Sequence, residues 1–167
     1  MDKLEIFENR VKDGHAISIE GKDLAAYAMS GILTDHESTE YEYAMMKVRN
    51  GMYVHIREGS AARNLEAIVR GIIENKTDIS RFTFCTDDKH IEDIQREGHI
   101  SHNVRKAIRL GLDPLAAYKM ATLNPAQCYG LDDLGMLAVG KKANLIILND
   151  MDGVDIDRVM YRGKFID

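Results

Sequence analysis

Cysteine is scarce in this 167-residue sequence, which contains only Cys85 and Cys128. Two cysteines outside any Cys-x-x-Cys pair do not build a disulfide framework or a cysteine-rich zinc site, and they favour a reducing, cytoplasmic setting. No apolar run approaches the roughly 20 residues that span a bilayer, and the first residues lack the pattern of a secretion signal. The net charge of -5 provides no basic field for a phosphate backbone. We therefore expect no membrane role and no nucleic-acid partner.

The chain has enough apolar content, 45%, to bury a core. Up to about Asp88, short β-rich runs alternate with helical patterns, which is typical of successive βα units. The predicted strands cover residues 14–19, 32–35, 52–57 and 81–86, and the predicted helices cover residues 22–30, 39–50 and 61–74. Gly31 and Gly51 serve as helix stops, and Thr39 with Glu42 suggests a capping box. The pattern predicts an α/β fold with a parallel sheet.

Beyond Asp88 the pattern becomes helical only. Helices are predicted over residues 91–97, 101–110 and 114–122, the last capped by Asp113 with Pro114 in its first turn. After Leu134, glycines separate short antiparallel strands predicted over residues 144–148 and 158–161. We place a domain boundary near Asp133, which divides the chain into residues 1–133 and 134–167. Residues 1–13 are amphipathic and are predicted to be helical.

In three short segments a potential metal ligand appears where a β-rich run ends. These ligands are His15, His36 and Asp87, each in a short polar segment. Active sites collect at the carboxyl ends of parallel strands, where the loops converge on a rigid frame. Two imidazoles and a carboxylate suit Zn, Mn or Fe, and such an ion lowers the pKa of a bound water to about 7. The sequence therefore predicts a divalent-metal site, although each histidine alone is more often a packing or capping residue.

The other histidines are weaker candidates. His55 lies in the middle of a predicted strand and His90 begins a helix, whereas His99 and His102 form a His-x-x-His at a helix start. That pair is able to chelate, but its position favours a structural role. No His-Glu-x-x-His is present, because Glu40 stands where the second histidine would be needed.

Two polar segments beside these ligands have both a chemical and a structural interpretation. Glu37 follows His36 and is placed to carry a proton between water and a leaving amine, or to act as a helix-entry acid. Arg57, Glu58 and Ser60 close the third strand, where backbone amides that open a helix bind polar ligand atoms. Ser60 is equally well explained as a helix N-cap.

These segments, in this order, resemble the adenine deaminase branch of the amidohydrolases. The resemblance runs from about Asp13 to the end of the chain and includes Asp13-Gly14-His15-Ala16, Asp35-His36-Glu37, Arg57-Glu58-Gly59-Ser60-Ala61-Ala62-Arg63-Asn64, Cys85-Thr86-Asp87-Asp88, Ala121-Thr122-Leu123-Asn124-Pro125-Ala126 and Gly140-Lys141-Lys142-Ala143-Asn144-Leu145. Only the Arg57 to Asn64 and Thr86-Asp87-Asp88 segments are specific to adenine deaminases.

The resemblance implies a partial (β/α)8 TIM barrel, of which the chain covers about the last four βα units, then helices and the start of a small β-domain. It implies hydrolysis of adenine to hypoxanthine and ammonia by metal-activated hydroxide. It assigns His15, His36 and Asp87 as metal ligands and Asp87 and Glu37 as catalytic groups. Arg57, Glu58 and Ser60 are the candidate substrate-binding residues, and adenine is the small-molecule partner.

The chain departs from the family pattern, which leaves alternatives open. It has neither the first-strand His-x-His pair nor the glutamate before the fifth strand, and Ile17-Ser18 replaces a usual Pro-Gly. An open half-barrel exposes strand edges, so we expect a homo-oligomer, a complement that carries the missing half, or a piece of a longer enzyme. The alternative functions are an inactive remnant that binds a partner and an amidohydrolase for cyclic amides or N-acyl amino sugars, against which the Arg57 to Asn64 segment argues.

Overall fold

A four-stranded parallel sheet forms the centre of the protein. The structure, a computed structural model, describes residues 6, 7 and 10–166. The strands follow one another in the order β1 (Lys12–Gly14), β2 (Ile32–Asp35), β3 (Tyr53–Arg57) and β4 (Phe82–Cys85). The connections contain the helices α1 (Gly21–Met29), α2 (Tyr41–Arg49) and α3 (Leu65–Glu74). This alternation confirms the predicted α/β fold.

Four helices and a second sheet follow β4. The helices are α4 (Ile91–Glu97), α5 (Ile100–Arg109), α6 (Pro114–Ala121) and α7 (Leu123–Cys128). The Asp113 side chain accepts a hydrogen bond from the Ala116 N–H at 2.9 Å, which confirms the predicted cap of α6. The antiparallel sheet consists of β5 (Leu145–Asp150), β6 (Asp155–Tyr161) and β7 (Lys164–Ile166). The boundary near Asp133 stays a prediction.

The core lies between one face of the parallel sheet and its helices. Strand residues alternate between faces, and in β3 Val54 and Ile56 are fully buried against Leu65 and Ile68 of α3. Burial of each such side chain contributes about 1.5–3 kcal/mol. The other face of β3 carries His55, which contacts Thr83 of β4. None of the helices among residues 6, 7 and 10–166 has the length and apolar character to cross a membrane.

The first strand is shorter and earlier than predicted. A strand over residues 14–19 is wrong, because β1 ends at Gly14. The Ala16 N–H donates to Asp35 Oδ1, and the Ala16 carbonyl accepts from Lys47 and Tyr43, so neither group is free for a strand ladder. Ser18 has a φ of 57°, in the left-handed region. Side-chain hydrogen bonds therefore replace the expected strand pairing after Gly14.

Two predicted helix starts are also wrong. The N-cap of α2 is Glu40 and makes no side-chain capping bond, so Thr39 and Glu42 form no capping box. The helix predicted over residues 61–74 begins only at Leu65, after the N-cap Asn64, and Ser60 is not its cap. A backbone bridge between Glu58 and Arg63 holds the preceding segment in a turn. The helix predicted over residues 1–13 falls partly outside the described residues, and Lys12 and Asp13 belong to β1.

Candidate metal centre

The carboxyl edge of the parallel sheet gathers the predicted site residues. His15 follows β1 and His36 follows β2, whereas Arg57 is the last residue of β3. Asp87 lies two residues beyond β4 with a φ of 50°, a left-handed conformation that aspartate adopts more readily than most residues. Parallel strands end at a common edge, and four consecutive strands therefore bring these side chains to one place.

His15, His36 and Glu37 form a compact cluster of donor atoms. One ligand atom from each residue lies within 4.8 Å of the other two. Glu37 Oε1 is 3.3 Å from His15 Nδ1 and 3.2 Å from His36 Nε2. The two imidazole rings meet edge to face, with their centroids 5.3 Å apart. Glu37 is nearly buried, whereas the His15 side chain is 63% exposed and faces solvent.

This donor set fits a divalent ion. Imidazole nitrogen and carboxylate oxygen bind such ions at about 2.0–2.2 Å, which places neighbouring donors roughly 3.4 Å apart in a tetrahedral site. The two measured separations, 3.3 and 3.2 Å, are close to that value. Two of the three donor pairs are therefore spaced as the ligands of a single ion are.

Asp87 lies at the side of this cluster. Its Oδ1 is 3.6 Å from His36 Nε2, and among the described residues it makes no contact with His15 within 4.0 Å. Glu37, which is predicted as a proton carrier, thus lies closer to both histidines than Asp87, which is predicted as a ligand. All four of the residues predicted as ligands or proton carriers are nevertheless brought together at one edge.

Arg57 connects the two carboxylates. Its Nη1 donates to Glu37 Oε1 at 2.7 Å and to Asp87 Oδ2 at 3.2 Å, while Nη2 donates to Glu37 Oε2 at 3.3 Å. A guanidinium presents its donors in a fixed plane, so this arrangement holds both acids at a defined spacing and offsets part of their charge. Arg57 therefore lies in the centre, but its nitrogens are directed at protein acids.

Glu58 and Ser60 lie away from the histidines. Glu58 is fully buried, and its Oε1 accepts from Lys106 of α5 at 2.8 Å. Ser60 Oγ accepts from the His90 N–H at 2.9 Å and donates to Asp93. The Ala61 N–H donates to Asp88 Oδ2 at 2.9 Å, so this backbone amide already has a partner. The predicted cradle of helix-opening amides is not formed here.

A second charged cluster surrounds Glu58 at the start of α5. It contains Arg63, Lys89, Glu97, His102 and Lys106. Burial opposes ionisation of Glu97, but hydrogen bonds from Arg63, Lys89 and Arg96 outweigh it and lower the Glu97 pKa to about 2. His99 Nε2 contacts Thr86 Oγ1, 3.1 Å away, instead of joining His102. The two histidines therefore do not act as a pair, and they lie at the start of α5, as the sequence pattern predicted.

A network of polar side chains lies on the face of the sheet that carries His55. Tyr129 OH lies 3.0 Å from His55 Nε2 and donates to Asp13 Oδ1, also at 3.0 Å. Burial lowers the pKa of His55 and favours its neutral form. Burial also raises the pKa of Cys85 to about 12, so this thiol is protonated at neutral pH. His55 is therefore held in its neutral form among polar partners, and Cys85 is a poor nucleophile.

Sequence reasoning missed one pair of residues behind the histidines. Asp35 and Lys47 are both completely buried and form an ion pair. Desolvation lowers the Lys47 pKa, an effect that the neighbouring Asp35 opposes. The only signal in the sequence is an aspartate immediately before His36 at a strand end. Lysine on a helix is usually exposed, so the pattern did not point to Lys47.

Comparison with known proteins identifies relatives of the chain. Residues 3–166 match the Amidohydrolase family. The chain is 58% identical over 165 residues to an adenine deaminase of Desulfitobacterium hafniense, covering 99% of this chain and 29% of that protein. It is 43% identical over 158 residues to an adenine deaminase of Clostridium acetobutylicum, covering 95% and 27%. The chain thus spans less than a third of the length of these curated relatives.

A solved structure supports the same fold. The β-aspartyl dipeptidase of Fervidobacterium islandicum AW-1 superposes with a TM-score of 0.67 and 17% sequence identity, over 90% of this chain and 45% of that one. At that identity the likeness concerns the fold alone, and it confirms the predicted partial barrel. With the family match over almost the whole sequence, it follows that this chain belongs to the amidohydrolase family.

Proposed function

We propose that this chain forms the metal-binding part of an adenine deaminase, which hydrolyses adenine to hypoxanthine and ammonia. The observation that carries the proposal is the convergence of His15, His36, Glu37 and Asp87 at one sheet edge. The chain is also 58% identical to a protein named adenine deaminase. Its residues 57–64 and 86–88 are the segments that most resemble the adenine deaminase branch.

In this proposal His15, His36 and Glu37 or Asp87 hold a divalent ion. Zn, Mn and Fe all accept nitrogen and carboxylate donors, so any of the three fits this donor set. When bound, the ion supplies a Lewis acid that makes water nucleophilic near neutral pH. Because the donor atoms follow separate strand ends, the parallel sheet brings them to one edge.

Hydrolytic deamination requires two proton transfers that these side chains are placed to perform. Water adds to the purine carbon that bears the amino group and loses a proton, and the amino group gains a proton so that it departs as ammonia. Glu37 and Asp87 are the carboxylates available for both transfers. Arg57 binds both carboxylates and holds them in position between the transfers.

The predicted substrate-binding residues take different parts in this proposal. Arg57 lies at the centre and is retained as a candidate that contacts substrate or orients the acids. Glu58 and Ser60 act indirectly, because their contacts with Lys106, His90 and Asp93 hold the segment that follows β3 in place. For the whole protein we propose purine salvage in the cytoplasm, a setting consistent with the free thiols of Cys85 and Cys128.

The test is conversion of adenine to hypoxanthine by the 167-residue chain, supplied in turn with Zn, Mn and Fe(II). We expect turnover that His36→Ala abolishes and that His90→Ala, an exposed histidine outside the cluster, leaves unchanged. Glu37→Gln should also abolish it, since the amide carries no transferable proton. A panel of cyclic amides and N-acyl amino sugars tests the alternative amidohydrolase activities.

Native mass measured beside turnover distinguishes the partner-binding alternative. Both outer strands of the described parallel sheet, β1 and β4, have one edge without a strand partner. Such edges favour association with a second copy or with a complementary chain. A stable oligomer with no turnover under any metal would contradict the deaminase proposal for this chain and support an inactive oligomerising domain.

A further inference from the structure

A buried ion pair lies directly behind the candidate metal centre. Asp35, the last residue of β2, and Lys47 of α2 both have no exposed surface. Burial of two charges is costly unless good geometry and additional hydrogen bonds compensate for lost hydration. The partners of these two side chains therefore show what the pair does.

The pair joins the two loops that carry the histidines. Asp35 Oδ1 accepts from the Ala16 N–H at 2.6 Å, and Oδ2 accepts from the Glu37 N–H at 2.7 Å and from Lys47 Nζ. Lys47 Nζ also donates to the Ala16 carbonyl at 3.1 Å. Ala16 directly follows His15, and Glu37 directly follows His36. One carboxylate thus holds the backbone beside both imidazoles.

The backbone ladder does not provide this connection. Pairing of β1 with β2 ends at Gly14 and Asp35, immediately before His15 and His36. From that point the two loops are joined through Asp35 and Lys47, with support from Tyr43 of α2, whose OH donates to the Ala16 carbonyl at 3.1 Å. Lys47 Nζ lies 4.1 Å from the centre of the Tyr43 ring, which adds a cation–π contact.

We propose that Asp35 and Lys47 are positioning residues that set the spacing of His15 and His36 for a divalent ion. The identity of the bound group rests on the proposed function, whereas the spacing of the imidazoles does not. An aspartate is needed because two backbone N–H groups and an ammonium all require acceptors. A lysine is needed because it neutralises Asp35 and at the same time binds the Ala16 carbonyl.

The principal variant is Asp35→Asn/Lys47→Met, which removes both charges and leaves no unpaired ion in the interior. Asparagine keeps one oxygen acceptor, so at least one of the two loop contacts is lost. Tyr43→Phe is a milder variant that keeps both charges and loses only the hydroxyl contacts. Val48→Ala, on the same helix and packed against the core, is the control for destabilisation alone.

Two readouts separate positioning from stability. The first is the nuclear Overhauser effect between the His15 and His36 rings in the metal-free chain, which their 5.3 Å separation predicts. The second is the affinity for Zn²⁺ measured by calorimetry, beside the midpoint of thermal unfolding. Loss of outer-sphere partners of metal ligands typically weakens binding about 10–100-fold.

We expect the double variant to lose the Overhauser effect and to bind Zn²⁺ about 10–100-fold more weakly, with a smaller loss for Tyr43→Phe. Val48→Ala, compared at the same unfolding midpoint as the double variant, should keep both the Overhauser effect and the Zn²⁺ affinity. The proposal is overturned if the folded double variant keeps the wild-type Overhauser effect and affinity, or if Val48→Ala loses as much. If wild type binds none of Zn²⁺, Mn²⁺ and Fe²⁺, the proposed function fails, and the Overhauser effect alone decides the positioning role.

Discussion

At the scale of single residues, the partner of each buried charge decides its role. Arg57 ends a strand where a substrate-binding cation was expected, yet its guanidinium is paired with Glu37 and Asp87. Glu58 belongs to the same segment, but it is buried with Lys106. Residues that share a motif thus have different environments, because adjacent strand residues point to opposite faces of the sheet.

Glu97 makes the stability of the folded protein depend on pH. Its pKa falls from 4.5 to about 2 because the hydrogen bonds from Arg63, Lys89 and Arg96 outweigh the effect of burial. A carboxyl whose folded pKa lies below its unfolded pKa stabilises the fold only while it is ionised. Its contribution is therefore fully present above the unfolded value and is lost as the pH falls towards about 2.

We predict that Glu97→Gln destabilises the protein most near neutral pH and that the difference from wild type shrinks as the pH falls below about 4.5. Urea unfolding midpoints of both proteins, measured from about pH 6 to about pH 3, test this. Glu66→Gln is the matched control, because Glu66 forms an exposed pair with Arg70 within α3. A difference between wild type and Glu97→Gln that does not change with pH would contradict the assignment.

Sequence reasoning located the centre but not the groups that hold it. His15, His36, Glu37 and Asp87 were predicted because strand ends in a parallel sheet share one edge. The partners of Asp35 lie on other elements, and no periodicity relates an aspartate on β2 to a lysine on α2. The double contact of Arg57 was missed for the same reason, since its acids follow two different strands.

At the scale of elements, local signals predicted most boundaries. Gly31 and Gly51 have φ values of 89° and 83°, which only glycine adopts at low cost, and each follows the end of a helix as expected. The errors occurred at β1, where side chains take the backbone hydrogen bonds, at the start of α2, where no capping box forms, and before α3, where a tight turn intervenes. Ile17 and Ile19 have β-forming side chains, but tertiary contacts override that preference.

The packing of α2 on α3 depends on Gly71. A Cβ at this position would lie 2.2 Å from Tyr41 Cγ, and the Tyr41 OH is fixed by a 2.7 Å contact with Thr77 Oγ1. Alanine in a helix interior gains about 1 kcal/mol over glycine, whereas overpacking a core costs about 1–3 kcal/mol. The clash should therefore outweigh the gain in helix propensity.

We predict that Gly71→Ala lowers the free energy of unfolding, measured by urea denaturation. In a Tyr41→Gly background, which removes the opposing Cβ and ring, the same substitution should become neutral or stabilising. The difference between the two backgrounds measures the contact itself. Gly71→Ala with at least wild-type stability would show that α2 shifts to accommodate the methyl group.

At the scale of the whole molecule, the described chain holds four parallel strands in sequence order and a separate antiparallel sheet. The parallel α/β fold could be predicted because alternating strand and helix patterns leave few topologies, whereas the partial barrel was implied only by the resemblance to the amidohydrolases. The packing of the β5–β6 connection could not be predicted. It rests on contacts between residues far apart in the sequence, such as the hydrogen bond from Arg105 Nε to the Gly153 carbonyl, 2.7 Å long. The candidate centre takes its side chains from the residues at or directly after the ends of β1 to β4.

The central claim is that this sheet edge binds a divalent ion through His15 and His36. Calorimetric titration of the 167-residue chain with Zn²⁺, beside His36→Ala and the exposed-histidine control His90→Ala, tests it most directly. We predict that wild type and His90→Ala bind equally and that His36→Ala binds at least about 10-fold more weakly, because loss of a ligand costs no less than loss of its outer-sphere partner. Equal affinity in all three proteins, or no binding by wild type, would contradict the account.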